Sequence, residues 1–334
     1  MDEQQIHDFR LSERELEYRQ RKMELQLAAS GIAPVGLDAN APSHGADAFV
    51  ASLSGVEVDR VAEMVATVHE HGYAVADLLD HHQVAELREA MAPFFASSQR
   101  MFGSADPVLG HNQTIHVHNL LGKTDATDAI TAAPMLRAIV AGILGHDFIF
   151  NAGAVAMAPD PGCSPQGLHR DDGYFAVLPR PRPPLVVTVA IALDDFTRDN
   201  GGTRLVPGSC RWPAERQPQP EEIEYGELPA GSMLIWDGAT YHGGGGNRTT
   251  DRTRRTLTLN YTRGWLRTQF NQYLCVPRER VLAMPAELQA DLGYHRSALG
   301  LGGCDLEDPL RYLQRLQSDG GDGAQDRLGR EYAP

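Results

Sequence analysis

The segment Gln166-Gly167-Leu168-His169-Arg170-Asp171-Asp172-Gly173 sets an imidazole and a carboxylate two residues apart. In an extended segment, residues i and i+2 point to the same side, so His169 and Asp171 can aim their donor atoms at one point while Asp172 faces away. A second imidazole, His242, follows Trp236-Asp237-Gly238-Ala239-Thr240-Tyr241, directly after a run that reads as a strand. Two histidines and one carboxylate on one face of a metal leave the other face open, which is the ligand pattern of non-heme Fe(II) oxygenases. H-x-D alone is a common pairing, and it gains weight here from His242 and from a set of arginines further along the chain. The open positions suit a chelating co-substrate such as 2-oxoglutarate, whose far carboxylate needs a deep cation. The planar fork of arginine serves that better than lysine. Arg252, Arg254 and Arg255 lead into a further strand. Arg254, Thr256, Thr258 and Asn260 share its polar face, and Arg255, Leu257, Leu259 and Tyr261 share the other. A wall facing a site wants the polar face, which favours Arg254; alternation alone leaves Arg255 open.

These residues need a scaffold that brings distant strands together. From Leu185 to Leu193 the chain alternates cleanly, with Leu185, Val187, Val189, Ile191 and Leu193 on one face. Phe148 to Met157, Thr203 to Val206, Ser232 to Trp236 and Thr256 to Tyr261 also read as strands. Turn signals separate them: Asn200-Gly201-Gly202, Pro207-Gly208-Ser209 and the four glycines 243 to 246. Short, closely spaced strands indicate a sandwich or jelly roll. Ahead of them lies a mixed helical layer with one strand. Val58, Val61, Val65 and Val68 keep a helical period that Gly72 ends, and Tyr73 to Ala76 reads as the strand. Asp80 is an N-cap candidate for a helix carrying Val84, Leu87, Met91 and Phe94, and another helix covers roughly 134 to 144. Residues 102 to 125 read as irregular, with His111, His116 and His118 in a loop that fits a lid or pocket better than a second metal site.

The chain has 334 residues, enough to bury a large core without disulfides. Lys and Arg number 30 against 44 Asp and Glu, and the net charge of -14 repels a polyphosphate backbone, so nucleic acid is not an expected partner. No apolar run reaches the ~20 residues of a membrane helix. The polar start Met1-Asp2-Glu3-Gln4 does not read as a signal peptide, and the four cysteines (Cys163, Cys210, Cys275, Cys304) form no C-x-x-C. The expectation is a cytoplasmic protein without a membrane partner, acting on a small molecule. Residues 1 to 48 read as a helical arm and linker, 49 to 313 as one domain, and 314 to 334 as a flexible tail. The charged arm could lie on the body or on a second subunit, or be a partly frayed surface helix, so a homodimer is one of the open readings.

Four ordered segments resemble the phytanoyl-CoA dioxygenase family of Fe(II)/2-oxoglutarate oxygenases. They are Gln166 to Tyr174, Ala192-Leu193-Asp194-Asp195-Phe196-Thr197, Asn200 to Ser209, and Gly231 to Gly238 running on through His242 and Asn247 to Arg254. The resemblance spans roughly residues 70 to 300. It implies a mainly β fold with flanking helices: a double-stranded β-helix, jelly-roll or cupin-like, over about 148 to 265, with an N-terminal helical layer. It implies Fe(II) held by His169, Asp171 and His242, with 2-oxoglutarate anchored by Arg254 and O2 as the oxidant. The anchoring arginine follows the distal histidine by about eleven residues in the family and by twelve here. Gln166 and Thr203 resemble positions that help hold the co-substrate, and Asn119 resembles a pocket-wall position. Cys210 departs from the histidine that relatives often carry after Pro-Gly-Ser. Asp171 is a carboxylate where halogenating relatives carry a small residue, which disfavours halogenation.

The implied reaction is hydroxylation of an unactivated C–H bond of a small organic molecule, such as a secondary metabolite or lipid-like acid, with succinate and CO2 as co-products. Desaturation, epoxidation or ring closure on the same scaffold is the nearest alternative. Residues 102 to 125, Tyr174-Phe175, the loop 179 to 184, Trp265 and Phe270 are expected to build the substrate pocket. Arg180 and Arg182 in that loop could meet an anionic substrate or simply cover a solvated turn. A non-enzymatic cupin-like metal-binding protein has no use for a co-substrate anchor such as Arg254. A metal hydrolase would call for a zinc-type ligand set with a positioned base, and the chain has no H-E-x-x-H.

Overall fold

The computed structural model describes residues 52–98, 114–297, 300–304 and 307–318. The expected arm and linker, His111 and residues 319–334 lie outside the described residues. The elements in chain order begin with α1 (Gly55–His71), β1 (Tyr73–Asp77), α2 (His81–Ser97) and β2 (Thr114–Val117). Two short helices, α3 (Leu120–Lys123) and α4 (Asp128–Thr131), lead to α5 (Pro134–Leu144) and β3 (Phe148–Pro159). The remaining strands are β4 (Val186–Ala192), β5 (Thr203–Leu205), β6 (Glu224–Gly226), β7 (Ser232–Asp237), β8 (His242–Gly243) and β9 (Thr256–Arg263). Four helices follow: α6 (Gln272–Cys275), α7 (Arg278–Ala283), α8 (Ala286–Asp291) and α9 (Pro309–Ser318).

Local chemistry sets the helix ends. Ser54 caps α1 in a reciprocal box with Glu57, and Gly72 closes the helix at φ 87 by donating to Val68 O. Asp80 and Gln83 form the same box at the start of α2. The buried faces are Val61, Met64 and Val68 on α1 and Val84, Leu87 and Met91 on α2. Helix α5 starts on a proline and is buried on nearly every side.

Six strands form one antiparallel sheet in the order β1-β7-β4-β9-β3-β2, and β6-β5-β8 form a second. The alternation in β4 and β9 separates two environments. Val187, Val189, Ile191, Leu257, Leu259 and Tyr261 face the large core, with Leu136, Ile139 and Ile143 of α5 in the same cluster. Ala190, Ala192, Leu234 and Trp236 belong to a smaller core with Phe196, Leu205 and Leu228, between the sheets. Isolated bridges extend the second sheet at His169–His242, Phe196–Leu228 and Asn200–Asn247. The sheets thus face one another, the arrangement of a double-stranded β-helix.

Three expectations change. Among the described residues, the region before Phe148 holds two strands, because Thr114–Val117 pairs antiparallel with Ala156–Pro159 of β3. Residues 314 to 318 are helical, since α9 continues through Ser318. The glycines at 243 to 246 do more than turn the chain. A Cβ on Gly243 would come within 2.9 Å of Gly167 O, and one on Gly245 within 2.5 Å of Gly202 O, so side-chain-free backbone lets neighbouring segments close up here.

The helical layer is tied to the C-terminal helices by an ion pair buried behind the sheet: Arg137 Nη2 lies 2.6 Å and Nε 3.1 Å from the two carboxylate oxygens of Asp291. Removing one partner strands a buried charge. Arg137→Ala is therefore expected to cost about 3–5 kcal/mol in denaturant melts. Arg137→Met with Asp291→Leu should recover much of that loss.

Candidate metal centre and active-site cavity

His169 and His242 are locked face to face by two backbone hydrogen bonds, His169 N to His242 O at 2.9 Å and His242 N to His169 O at 3.0 Å. Each ring is oriented by its own Nδ1, which lies 3.0 Å from Gly167 O in His169 and 3.0 Å from Thr240 O in His242. A carbonyl oxygen only accepts, so both Nδ1 atoms carry the proton and both Nε2 atoms present lone pairs. Asp171 opens a 3-10 turn, Asp171–Phe175, directly after the His169 bridge. Its Oδ1 stands 3.3 Å from His242 Nε2 and 3.6 Å from His169 Nε2. The three donor atoms lie within 4.8 Å of one another. Two lone pairs and an anion converging on one point repel unless a cation joins them, so the donor set fits a divalent metal and could hold it through two nitrogens and one oxygen. Burial alone would raise the Asp171 carboxyl; positive charge facing it, carried by the His242 and His169 rings when no metal is bound, overrides burial and holds the group well below the usual carboxylate range. Thr188 Oγ1 donates to the second oxygen, Oδ2, at 2.5 Å.

A cavity of about 710 Å³ opens from this cluster. The polar face of β9, from Arg254 through Thr256 and Thr258 to Asn260, forms part of its wall. Arg254 is buried, with its guanidinium carbon 4.2 Å from the Phe196 ring centre and Nη2 donating to Gly201 O at 2.7 Å. Its Nε has no partner, and no carboxylate among the described residues pairs with it. Burial lowers its pKa to about 10, which still leaves a full cation at neutral pH. Arg255, on the opposite face, is engaged by Asp194, with Nε and Nη2 each 2.8 Å from a carboxylate oxygen. The cation turned to the cavity is therefore Arg254, and it could hold an anionic co-substrate.

Gln166 and Thr203 line the same cavity. The Gln166 side chain is fixed by Gly244, whose N–H donates to its Oε1 at 2.7 Å. Asn119 stands apart from this wall. It caps α3 at φ 57, and its amide donates to Cys275 O at 2.7 Å. His116 and His118, close to it in sequence, do reach the cavity, and His118 packs edge-on against Phe270. Tyr174 and Gln269 stand on the wall joined by a 2.7 Å hydrogen bond, whereas Phe175 and Trp265 are not on it.

The loop arginines depart from both readings of them. The side chains of Arg180 and Arg182 are covered against Asp172, with Arg182 Nη2 2.6 Å from its Oδ2. Arg182 also donates to Phe175 O and Leu178 O, at 2.8 and 2.6 Å. Neither lines the cavity, and neither covers a solvated turn; they clamp the turn that carries Asp171. Sequence reasoning also missed the part played by Thr188 and Asn260. Both sit on the polar, small-residue faces of β4 and β9, and that facing was the available signal.

The profile of phytanoyl-CoA dioxygenase (PhyH) matches residues 68–256, more than half of the chain. The chain belongs to this family, and it is a dioxygenase of the iron- and 2-oxoglutarate-dependent class. Among curated relatives, dioxygenase swnH1 of Metarhizium robertsii is 28% identical over 276 residues, covering 76% of this chain and 89% of the relative. Dioxygenase olcK of Penicillium canescens is 33% identical over 191 residues, covering 55% and 62%. Among solved structures, the non-heme alpha ketoglutarate dependent epimerase SnoN from nogalamycin biosynthesis aligns at TM-score 0.50 and 20% identity, over 61% of this chain and 81% of its own. This last likeness is one of fold, and it agrees with the expected double-stranded β-helix.

His116 gives the site a pH signature. Burial, assisted by the neighbouring His118, pushes its pKa from 6.5 down to about 4, and burial lowers His118 in the same direction. The folded state therefore keeps His116 neutral where the unfolded chain protonates. Its contribution to stability is complete above about pH 6.5 and declines as pH falls toward 4. Denaturant melts across that window should show His116→Gln losing less stability than the wild type, by up to about 3 kcal/mol.

Proposed function

We propose that the chain hydroxylates an unactivated C–H bond of a small organic molecule, using Fe(II), 2-oxoglutarate and O2 and releasing succinate and CO2. The observation that carries this reading is the convergence of His169, Asp171 and His242 in a cavity that also holds a buried arginine with no carboxylate partner. His169 and His242 would hold the iron through Nε2 and Asp171 through Oδ1. Bound there, iron with 2-oxoglutarate and dioxygen supplies the oxidising power that no side chain of the cavity has.

The chain's own residues do the positioning. Arg254 offers its fork to the far carboxylate of the co-substrate, and its rigid seat over Phe196 fixes where that carboxylate sits. Gln166, in the loop held against Gly244, and Thr203 of β5 flank the co-substrate. Val155, Met157 and Phe270 give the cavity apolar walls that exclude water around the reacting carbon. A volume of about 710 Å³ admits a metabolite-sized molecule together with the co-substrate.

Conversion of 2-oxoglutarate to succinate tests the assignment. His242→Ala is expected to abolish it while leaving the fold intact by circular dichroism; full activity would refute the ligand role. Arg254→Ala should raise the 2-oxoglutarate concentration for half-maximal turnover by about 30-fold or more, as loss of one partner of a buried charge pair does. Arg255→Ala should change it less than about threefold, because that side chain serves Asp194 on the far face.

A further inference from the structure

One polar group on the cavity wall has no task in the proposed reaction. Asn260 Nδ2 lies 2.6 Å from Thr188 Oγ1, which lies 2.5 Å from Asp171 Oδ2. The directions along this chain of hydrogen bonds are forced. A carboxylate only accepts, so the Thr188 hydroxyl gives its one proton to Asp171. Its oxygen must then receive, and only the nitrogen of the Asn260 amide can donate to it. Asn260 Oδ1 is left buried without a hydrogen-bond partner, on a residue that is 9% exposed and lines the cavity. Gly153, its partner across the strands, brings no side chain to meet it.

A buried acceptor with no donor is costly, and native structures rarely leave one without a purpose. Five other wall atoms are also unpartnered: His116 Nε2, Thr258 Oγ1, Trp236 Nε1, Arg170 Nε and Arg254 Nε. An imidazole or a hydroxyl can adapt as donor or acceptor. The indole and guanidinium N–H groups only donate, and an amide oxygen only accepts, so of these six Asn260 Oδ1 is the one that calls for a donor. Arg180 and Arg182 are engaged by Asp172 and do not line the cavity, and Arg170, which does, donates to Ser209 O at 3.1 Å and lies over the Tyr241 ring.

We propose that Asn260 is a substrate-reading residue whose amide oxygen accepts a hydrogen bond from an O–H or N–H group of the substrate. The substrate class is then a hydrogen-bond-donating molecule, such as an alcohol, amine or amide, rather than a bare hydrocarbon or ether. This rests on the dioxygenase reading above and deepens it. The donor is held two hydrogen bonds from the Asp171 carboxylate, so the carbon that reacts lies close to the donor group. Polarisation along Asn260, Thr188 and Asp171 links occupancy of the cavity to the metal-ligand carboxylate.

The test uses protein loaded with Mn(II) and 2-oxoglutarate without oxygen. Calorimetry first measures 2-oxoglutarate binding; its absence refutes the dioxygenase reading and this proposal with it. Matched neutral probes are then titrated and followed by manganese-induced relaxation of their NMR signals: cyclohexanol against methoxycyclohexane, and 2-piperidone against N-methyl-2-piperidone. The wild type should bind each donor about tenfold tighter than its methylated partner, the effect of one hydrogen bond. Asn260→Leu should lose that preference. Unchanged circular dichroism and unchanged 2-oxoglutarate binding in Asn260→Leu separate loss of the acceptor from loss of the fold. With 2-oxoglutarate bound, a wild type that does not distinguish the pairs, or an Asn260→Leu variant that still does, overturns the role of Asn260 alone.

Discussion

The two backbone hydrogen bonds between His169 and His242 are the constraint on which the site depends. They join a loop segment to a two-residue strand and set two imidazoles side by side, with ring centres 4.4 Å apart. Neither histidine could hold this position alone, because each sits where regular sheet pairing gives out. Everything around the pair serves to keep it. Gly243 lets the Gly167 backbone close up, Gly167 and Thr240 carbonyls fix the tautomers, and Arg182 gathers the turn that swings Asp171 into line. The result is a donor set that is electrostatically incomplete without a cation.

The large sheet solves a second problem, which is how one layer can serve as core and active-site wall together. Its strands are buried on both faces, yet the faces differ in kind. The face toward α5 carries Val187, Val189, Ile191, Leu257, Leu259 and Tyr261, and its burial supplies the stability of the fold. The opposite face carries Thr188, Ala190, Thr256, Thr258 and Asn260, residues too small or too polar to fill the space above them. The cavity exists because that face does not pack. Its polar atoms are tolerated only where each has a partner in the fold or in a bound molecule.

Much of this was legible in the sequence. Alternation from Leu185 to Leu193 and from Arg254 to Tyr261 identified strands and assigned their faces; it put Arg254 and Arg255 on opposite faces but left open which of them serves the site, and the engagement of Arg255 by Asp194 is visible only in the assembled fold. Spacing brought His169, Asp171 and His242 into one hypothesis. Other features were not legible, for physical reasons. The strand Thr114–Val117 is short, and its pairing with β3 is a long-range event that local pattern does not register. The Pro-Arg loop looks like a solvated turn because nothing local reveals that Asp172 waits beneath it. Asn119 shows the limit of carrying a position over: its side chain serves Cys275 O, while His116 and His118 line the cavity. The hydrogen-bond chain from Asn260 to Asp171 crosses two strands and a turn, and only the assembled sheet shows it.

The central claim is that His169, Asp171 and His242 hold an iron to which 2-oxoglutarate binds, anchored by Arg254. The most direct measurement is an anaerobic titration of the protein with Fe(II) and 2-oxoglutarate, followed by the metal-to-ligand charge-transfer band in the visible. The account predicts a saturable band that appears only when both are present and is absent in His242→Ala. A folded, metal-binding protein that shows no band, or a band that His242→Ala leaves unchanged, would contradict it.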